Sequence, residues 1–270
     1  IRVTLNSGKN VDADMAILCI GIRPNTALAK DCGLEISERG GIVTDDTLQT
    51  SDENIYAVGD IVETVHYVNK EKKLIIPLAG PANKMGRLAA DNICGLLRTY
   101  KGSLGSSVAK VFDLTVACTG LNEKQLRRDG LMLHKDYDIT IVHPLSHAGY
   151  YPGGKPLTLK LLFHKSGKVL GAQGVGYKGV DKRIDVIATA IKFGATVFDL
   201  EELDLCYAPP YSSAKDPVNI AGFSAENIVN GTVEYITVEE LEKADPKPVV
   251  LDVRTSYERS KGYIKGSIHV

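Results

Sequence analysis

The chain has 270 residues, of which 44% are hydrophobic and 24% charged, and its formal net charge is −1. That length supports a buried core and more than one domain, and the balanced charge excludes a basic nucleic-acid-binding surface and an acidic disordered tail. The longest apolar run near the start, Met15 to Ile20, is far short of the roughly 20 residues that cross a bilayer, so no membrane association is expected.

The elements follow in chain order. Arg2 to Leu5 alternates, Asn6 to Lys9 is a turn and Ala13 to Ile20 is an apolar run, which together predict a hairpin feeding a buried strand. Thr26 to Cys32 reads as a short helix stopped by Gly33. Ile42 to Thr44 and Ile55 to Val58 read as brief strands. Asn83 to Leu97, apolar at 85, 88, 89, 93, 96 and 97, has the spacing of an amphipathic helix. Lys101 to Ser107 is small and polar, a linker composition. Beyond it come a strand over Val111–Cys118 and a helix over Asn122–Arg128, with Asn122 and Gln125 as a capping box and Gly130 ending it. A strand over Asp138–Val142 precedes a hairpin of Leu157–Phe163 and Val169–Val175. Lys182–Phe193 is a helix closed by Gly194, and Thr196 caps the next. Antiparallel strands followed by helices predict an α+β domain over 108–225. Thr237 to Glu240 is a further capping box, and Val249 to Val253 reads as a buried strand.

Three stretches bear on chemistry. Thr50 to Asp60 is a turn, a short apolar strand and a Gly59-Asp60 pair at its C-terminal end, the place where open α/β sheets hold ligands. Gly174-Val175-Gly176-Tyr177-Lys178-Gly179 fits the dinucleotide fingerprint in letters. It follows the second arm of a tight hairpin, however, and the fingerprint requires the first strand of a parallel unit, so these glycines are read as easing a turn into a packed helix. Five scattered cysteines (19, 32, 94, 118 and 206) form no CxxC pair, which fits a reducing, cytoplasmic location. His143 and His147, in a stretch with Pro144 and Gly149, do not read as a metal pair.

Taken together, the Cys19-to-Asn25 stretch, the Thr50-to-Asp60 stretch and Pro77 to Lys84 resemble the FAD-dependent pyridine nucleotide-disulfide oxidoreductases. The resemblance implies that Asp60, with Gly59 beside it, holds the ribityl chain of FAD. It also implies that Leu78, Ala79 and Gly80 approach the flavin at a helix N-terminus, where free N–H groups suit negative charge. Cys206 to Asn219 is similar to the coenzyme A-disulfide reductase branch, in which two tyrosines reach toward the partner subunit's thiol chemistry. Tyr207 matches one; the other lies at Tyr150 or Tyr151, with Tyr151 favoured. Val249 to Arg254 and the residues up to His269 resemble the opening of a rhodanese domain.

The resemblance implies α/β and α+β architecture in four parts. Residues 1–30 are the end of a nicotinamide-binding domain and 31–106 the C-terminal part of a Rossmann-like FAD-binding domain. Residues 107–230 are a dimerisation domain forming a homodimer, and 231–270 the truncated start of a rhodanese-like domain. The implied activity is NAD(P)H-dependent reduction, through FAD, of a disulfide, persulfide or polysulfide, with coenzyme A disulfide among the candidates. An NADH oxidase or peroxidase of the same fold, or a non-catalytic dimerisation or binding module, are the alternatives. The family's redox cysteine and both dinucleotide fingerprints precede the region that starts at Ile1. Both ends therefore read as cut from a longer parent, and the chain is expected to be inactive alone.

Overall fold

The computed structural model describes residues 1–270. At the start, β1 (Arg2–Thr4) and β2 (Asn10–Asp12) form the expected hairpin in antiparallel register. The run that follows is not the buried strand the apolar letters predict. It is irregular, and Ile17, Leu18 and Ile20 are 78%, 82% and 90% exposed. A fully apolar strand is stable only when neighbours pair its backbone and cover both faces, and no other segment of the chain lies alongside.

Helix α1 (Ala27–Asp31) is the predicted short helix, closed by Gly33 at φ +76°. The expected strands at 42–44 and 55–58 are reduced to single bridges, Ile42 with Ile36 and Val62, and Tyr56 with Gln49. A small cluster of Ala29, Ile42, Ala57 and Val62 nevertheless buries their apolar faces. The strands β3 (Glu63–Val65) and β4 (Lys73–Ile75), absent from the sequence reading, make a second hairpin. Helix α2 (Ala79–Ile93) starts four residues before the predicted Asn83 and ends before Leu97. Met85, Leu88 and Ala89 pack inward with Leu48. Ile93, the last residue of α2, lies on its outer face, and Leu96 and Leu97 stay exposed because Gly95, at φ +83°, ends the helical path before them.

The polar stretch from 101 to 107 is pinned rather than loose. Ser103 is buried and bridges His66, and Gly102 lies so close to the Val65 carbonyl that a Cβ would stand 2.3 Å from its oxygen. From it the chain enters a five-stranded antiparallel sheet made of β5 (Ser107–Val111), β6 (Leu114–Gly120), β7 (Tyr137–Val142), β8 (Leu157–His164) and β9 (Val169–Gly176), in the order β5-β6-β9-β8-β7. The predicted single strand over 111–118 is in fact the turn and second arm of the β5–β6 hairpin. Phe112 takes a left-handed φ of +51° at its tip, where no glycine signals a turn. Between β6 and β7 sits α3 (Glu123–Arg128) with its Asn122–Gln125 capping box.

Helices α4 (Val180–Lys192), α5 (Val197–Glu202) and α6 (Pro217–Val229) supply the second layer. Leu157, Leu159, Leu161 and Phe163 of β8 meet Ile184 and Ile187 of α4 and Val218, Ala221 and Ala225 of α6 in one core. Each such fully buried Leu, Ile or Phe contributes roughly 1.5–3 kcal/mol of apolar transfer. Close layer contact is carried by glycines. A Cβ on Gly174 would stand 2.8 Å from Val180 Cγ1, and one on Gly171 would stand 2.1 Å from the Leu121 oxygen. The fingerprint-like glycines lie on β9, which is antiparallel to both its neighbours, and at the N-cap of α4, as the rejection of a nucleotide site required.

After the sheet layer, Tyr235 ties the following segment back to it. Its hydroxyl donates to Asp138 Oδ1 at 3.2 Å and accepts from the Ile139 N–H at 3.0 Å. Helix α7 (Val238–Lys243) has the predicted Thr237–Glu240 capping box. The last part holds β10 (Leu251–Asp252), α8 (Ser256–Ser260) and β11 (Ile268–His269), with β10 parallel to β11. The predicted buried strand over 249–253 is two residues long, and Val249, Leu251 and Val253 are exposed; only Asp252 is buried, between Arg254 and Arg259.

Candidate functional site

Two places bring the candidate residues together. At the first, the turn after Ala57 folds against α2. Gly59 has φ +88°, the region that favours glycine, and its N–H lies 3.4 Å from Met85 Sδ. A Cβ at Gly59 would approach Ala82 Cβ to 3.7 Å, so the Gly59–Asp60 turn rests on the opening turns of the helix. Asp60 itself is exposed, and its carboxylate has no hydrogen-bond partner in the chain. Leu78 is the extended N-cap of α2 and offers no side-chain cap, and no acidic residue lies in the first turn. The N–H groups of Ala79 and Gly80 are therefore left for an outside acceptor, and open space surrounds the Gly80 Cα.

A free carboxylate for hydroxyl groups, next to unpartnered helix N–H groups for an electron-rich ring, fits one side of a flavin nucleotide. Gly59, Asp60, Leu78, Ala79 and Gly80 thus fall in one neighbourhood despite their separation in sequence.

At the second place, the loop 143–156 meets the loop 204–216. The hydroxyls of Tyr150 and Tyr207 are hydrogen-bonded at 2.6 Å, and the side chains are 76% and 45% exposed. The bond to Tyr150 pushes the Tyr207 phenol above its ordinary pKa. The sequence favours Tyr151 over Tyr150 as the second thiol-facing tyrosine; within the chain it is the Tyr150 hydroxyl that meets Tyr207. Tyr151 turns its ring edge-on to the buried His147, 5.7 Å away.

What holds these two loops together was not visible in the sequence. Arg183 of α4 is 2% exposed and forms a two-point pair with Asp216, Nη2–Oδ2 2.9 Å and Nε–Oδ1 3.3 Å. The same guanidinium donates to the Ser146 carbonyl and to Ser212 Oγ, each at 3.1 Å, and to the Gly179 carbonyl at 3.1 Å. Ser212 donates to Asp216 at 2.6 Å, and its carbonyl accepts from the Ala148 N–H at 2.9 Å. Asp216 also caps α6 through the Val218 N–H. One buried cation therefore joins the Tyr150 loop, the Tyr207 loop and two helices. Gly179, left-handed at φ +68°, is needed there because a Cβ would stand 2.1 Å from Arg183 Nη1. A usable signal existed in Asp216-Pro217-Val218-Asn219, a capping box with proline at the first helical position that marks α6.

Comparison with known proteins was consistent along the chain. Residues 1–86 match the pyridine nucleotide-disulphide oxidoreductase family, and residues 106–217 match its dimerisation domain. A coenzyme A disulfide reductase of Staphylococcus epidermidis is 38% identical over 227 residues, which is 83% of this chain and 50% of that protein. The reduced Bacillus anthracis CoADR-RHD crystal structure superposes with a TM-score of 0.93 at 51% identity, covering 100% of this chain and 48% of that one. An NAD-dependent persulfide reductase from A. fulgidus gives a TM-score of 0.90 at 43% identity, covering 100% and 48%. The chain spans about half the length of the curated relatives it matches.

Proposed function

The chain belongs to the pyridine nucleotide-disulphide oxidoreductase family, and from that premise we propose that it serves an FAD-dependent, NAD(P)H-driven reduction of a disulfide, persulfide or polysulfide, with coenzyme A disulfide the first substrate to test. The observation that carries the reading is the exposed Tyr150–Tyr207 hydroxyl pair, fixed from below by Arg183.

Bound FAD would supply the electron pair taken from the nicotinamide. The contribution of this chain's residues is positional and acid–base. Asp60 accepts hydroxyl hydrogen bonds, and the Ala79 and Gly80 N–H groups face the electron-rich side of the ring system, with Leu78 setting the helix start. Only one of the two tyrosine protons lies in the shared bond. The other is free to be given to a leaving thiolate, and the remaining hydroxyl then donates to the phenolate that results. Tyr207, held above the ordinary phenol pKa, keeps its proton at neutral pH and acts as donor rather than base.

We assign the homodimer contact to residues 107–230. The sheet face turned away from the helices leaves Val116, Val175 and Ile141 exposed, a patch that a second copy would cover. Residues 231–270 are assigned to the start of a rhodanese-like domain on the resemblance of their sequence, and the location to the cytoplasm on the scattered free cysteines.

The test is a visible absorption spectrum, followed by disulfide reduction assays, on the full-length protein that carries this chain. Flavin is expected in the wild type and lost in Asp60→Ala. Tyr207→Phe and Tyr150→Phe are expected to keep flavin and lower kcat by about a hundredfold, the low end of general acid catalysis. Full turnover in both tyrosine variants would remove them from the chemistry.

A further inference from the structure

The tip of the β3–β4 hairpin, residues 66–72, enters the sheet layer from the region that carries the Gly59–Asp60 turn. Val68 packs against both apolar clusters of that layer. Tyr67 donates its hydroxyl to the Lys192 carbonyl at the end of α4, at 2.9 Å, with the Lys192 ammonium over its ring. Asn69 Nδ2 donates to Asp129 at 3.3 Å, and Lys72 is paired with the same carboxylate. The connection from 101 to 106 runs alongside. The Ser103 carbonyl accepts from the Tyr67 N–H at 2.8 Å, the Ser103 N–H donates to the Val65 carbonyl at 3.1 Å, and the Leu104 carbonyl accepts from the Gly120 N–H at 3.0 Å. One hairpin tip and one connection therefore fasten two regions of the fold.

His66 stands where hairpin, connection and β6 meet, and it is 2% exposed. Its Nδ1 accepts from the Val68 N–H at 3.2 Å and from the Asn69 N–H at 3.4 Å. An imidazole nitrogen that accepts carries no proton, so the ring is neutral, with its one hydrogen on Nε2 for the Gly120 carbonyl. A second proton, on Nδ1, would face two N–H donors and break both bonds. Burial is the main reason the ring is held below its ordinary pKa. The Gly120 bond opposes burial, Lys72 adds to it, and Asp129, paired with Lys72, opposes it. The connection and the end of β6 bring no further charge to bear on the ring.

We propose that the β3–β4 tip is a detachable joint between the Gly59–Asp60 region and the five-stranded sheet, and that protonation of His66 at Nδ1 opens it while the sheet layer stays folded. The closed joint refuses a proton that the opened one, with an ordinary imidazole in water, takes up at about pH 6.5. The joint is therefore fully closed above that value and loosens as the pH falls below it. The opening is local, because the tip is held by a few contacts and the sheet layer by a continuous core. The inference uses no residue of the Tyr150–Tyr207 pair, so the two readings stand or fall separately.

The test is amide hydrogen exchange of the full-length protein that carries this chain, followed by mass spectrometry and expressed as protection factors, which remove the intrinsic effect of pH on exchange. Protection of the Tyr67, Val68, Asn69, Ser103 and Gly120 amides is expected to fall by about tenfold from about pH 7.5 to about pH 5.5, the factor by which an ordinary imidazole fills with protons over that range. Protection in β8 is expected to stay constant. In His66→Asn the side-chain oxygen takes the place of Nδ1 as acceptor and cannot be protonated there, so the joint is expected to stay closed at both pH values. His143→Gln, at an exposed histidine away from the joint, is expected to keep the wild-type decline. Protection in the wild type that does not change with pH would overturn the proposal. So would a decline that persists in His66→Asn, or one that β8 shares, which would make the event global unfolding. Should His66→Asn fail to fold, the wild-type comparison of joint against β8 still decides between the two.

Discussion

Replacing Arg183 by methionine removes the cation beneath both tyrosine loops while keeping most of the side-chain volume. The Asp216 carboxylate would remain buried with only Ser212 Oγ and the Val218 N–H facing it, and the carbonyls of Ser146 and Gly179 would lose a donor. Breaking one partner of a buried pair costs about 3–5 kcal/mol, because the surviving charge keeps its desolvation without compensation. That is a large part of the roughly 5–15 kcal/mol that separates folded from unfolded domains. Urea unfolding followed by circular dichroism would read the loss as a lower midpoint at unchanged slope. The double variant Arg183→Met/Asp216→Leu should recover part of it, short of full recovery by about 1 kcal/mol for the lost cap of α6. A loss below about 1 kcal/mol in the single variant, or a double variant no better than the single, would show that the pair does not act as a buried unit.

Two further outcomes are expected. Gly171→Ala would drive a Cβ into the Leu121 backbone, 2.1 Å from its oxygen. It should destabilise by roughly 1–3 kcal/mol or more, the range of overpacking, in the same urea experiment. Burial holds His66 below its ordinary pKa, with Lys72 adding to the effect against the opposing Gly120 hydrogen bond and Asp129 charge. In the unfolded chain the imidazole regains a pKa of about 6.5 and binds a proton that the folded form refuses. Stability is therefore full above that value and is lost as the pH falls toward the depressed folded value. A pH series of unfolding midpoints should show this decline, and His66→Gln should flatten it.

Much of the sheet-and-helix layer was legible because its signals are local. The β8–β9 hairpin turns on Lys165 to Lys168, and α3, α5 and α7 open on capping boxes that the structure repeats atom for atom. Failures came where the decisive contact is distant. The run from Met15 to Ile20 has strand letters but nothing to pair with, and the Phe112 turn has no turn residue. Tyr150 and Tyr151 are adjacent and chemically alike. Which one meets Tyr207 depends on loops fixed by Arg183, and nothing in the sequence of α4 marks that arginine as buried rather than solvated. The flavin-side residues were found through resemblance, since free helix N–H groups leave no trace in residue letters.

The segment that follows β2 has a practical consequence. Met15-Ala16-Ile17-Leu18-Cys19-Ile20 is six residues without a charge or a proline, its backbone unpaired and its large side chains open to water. Such a stretch is a template for edge-to-edge zippering between copies. Warm storage of the isolated chain should nucleate fibrils there before the rest of the molecule melts, and one charge placed at Ile17 should act as the gatekeeper that stops it.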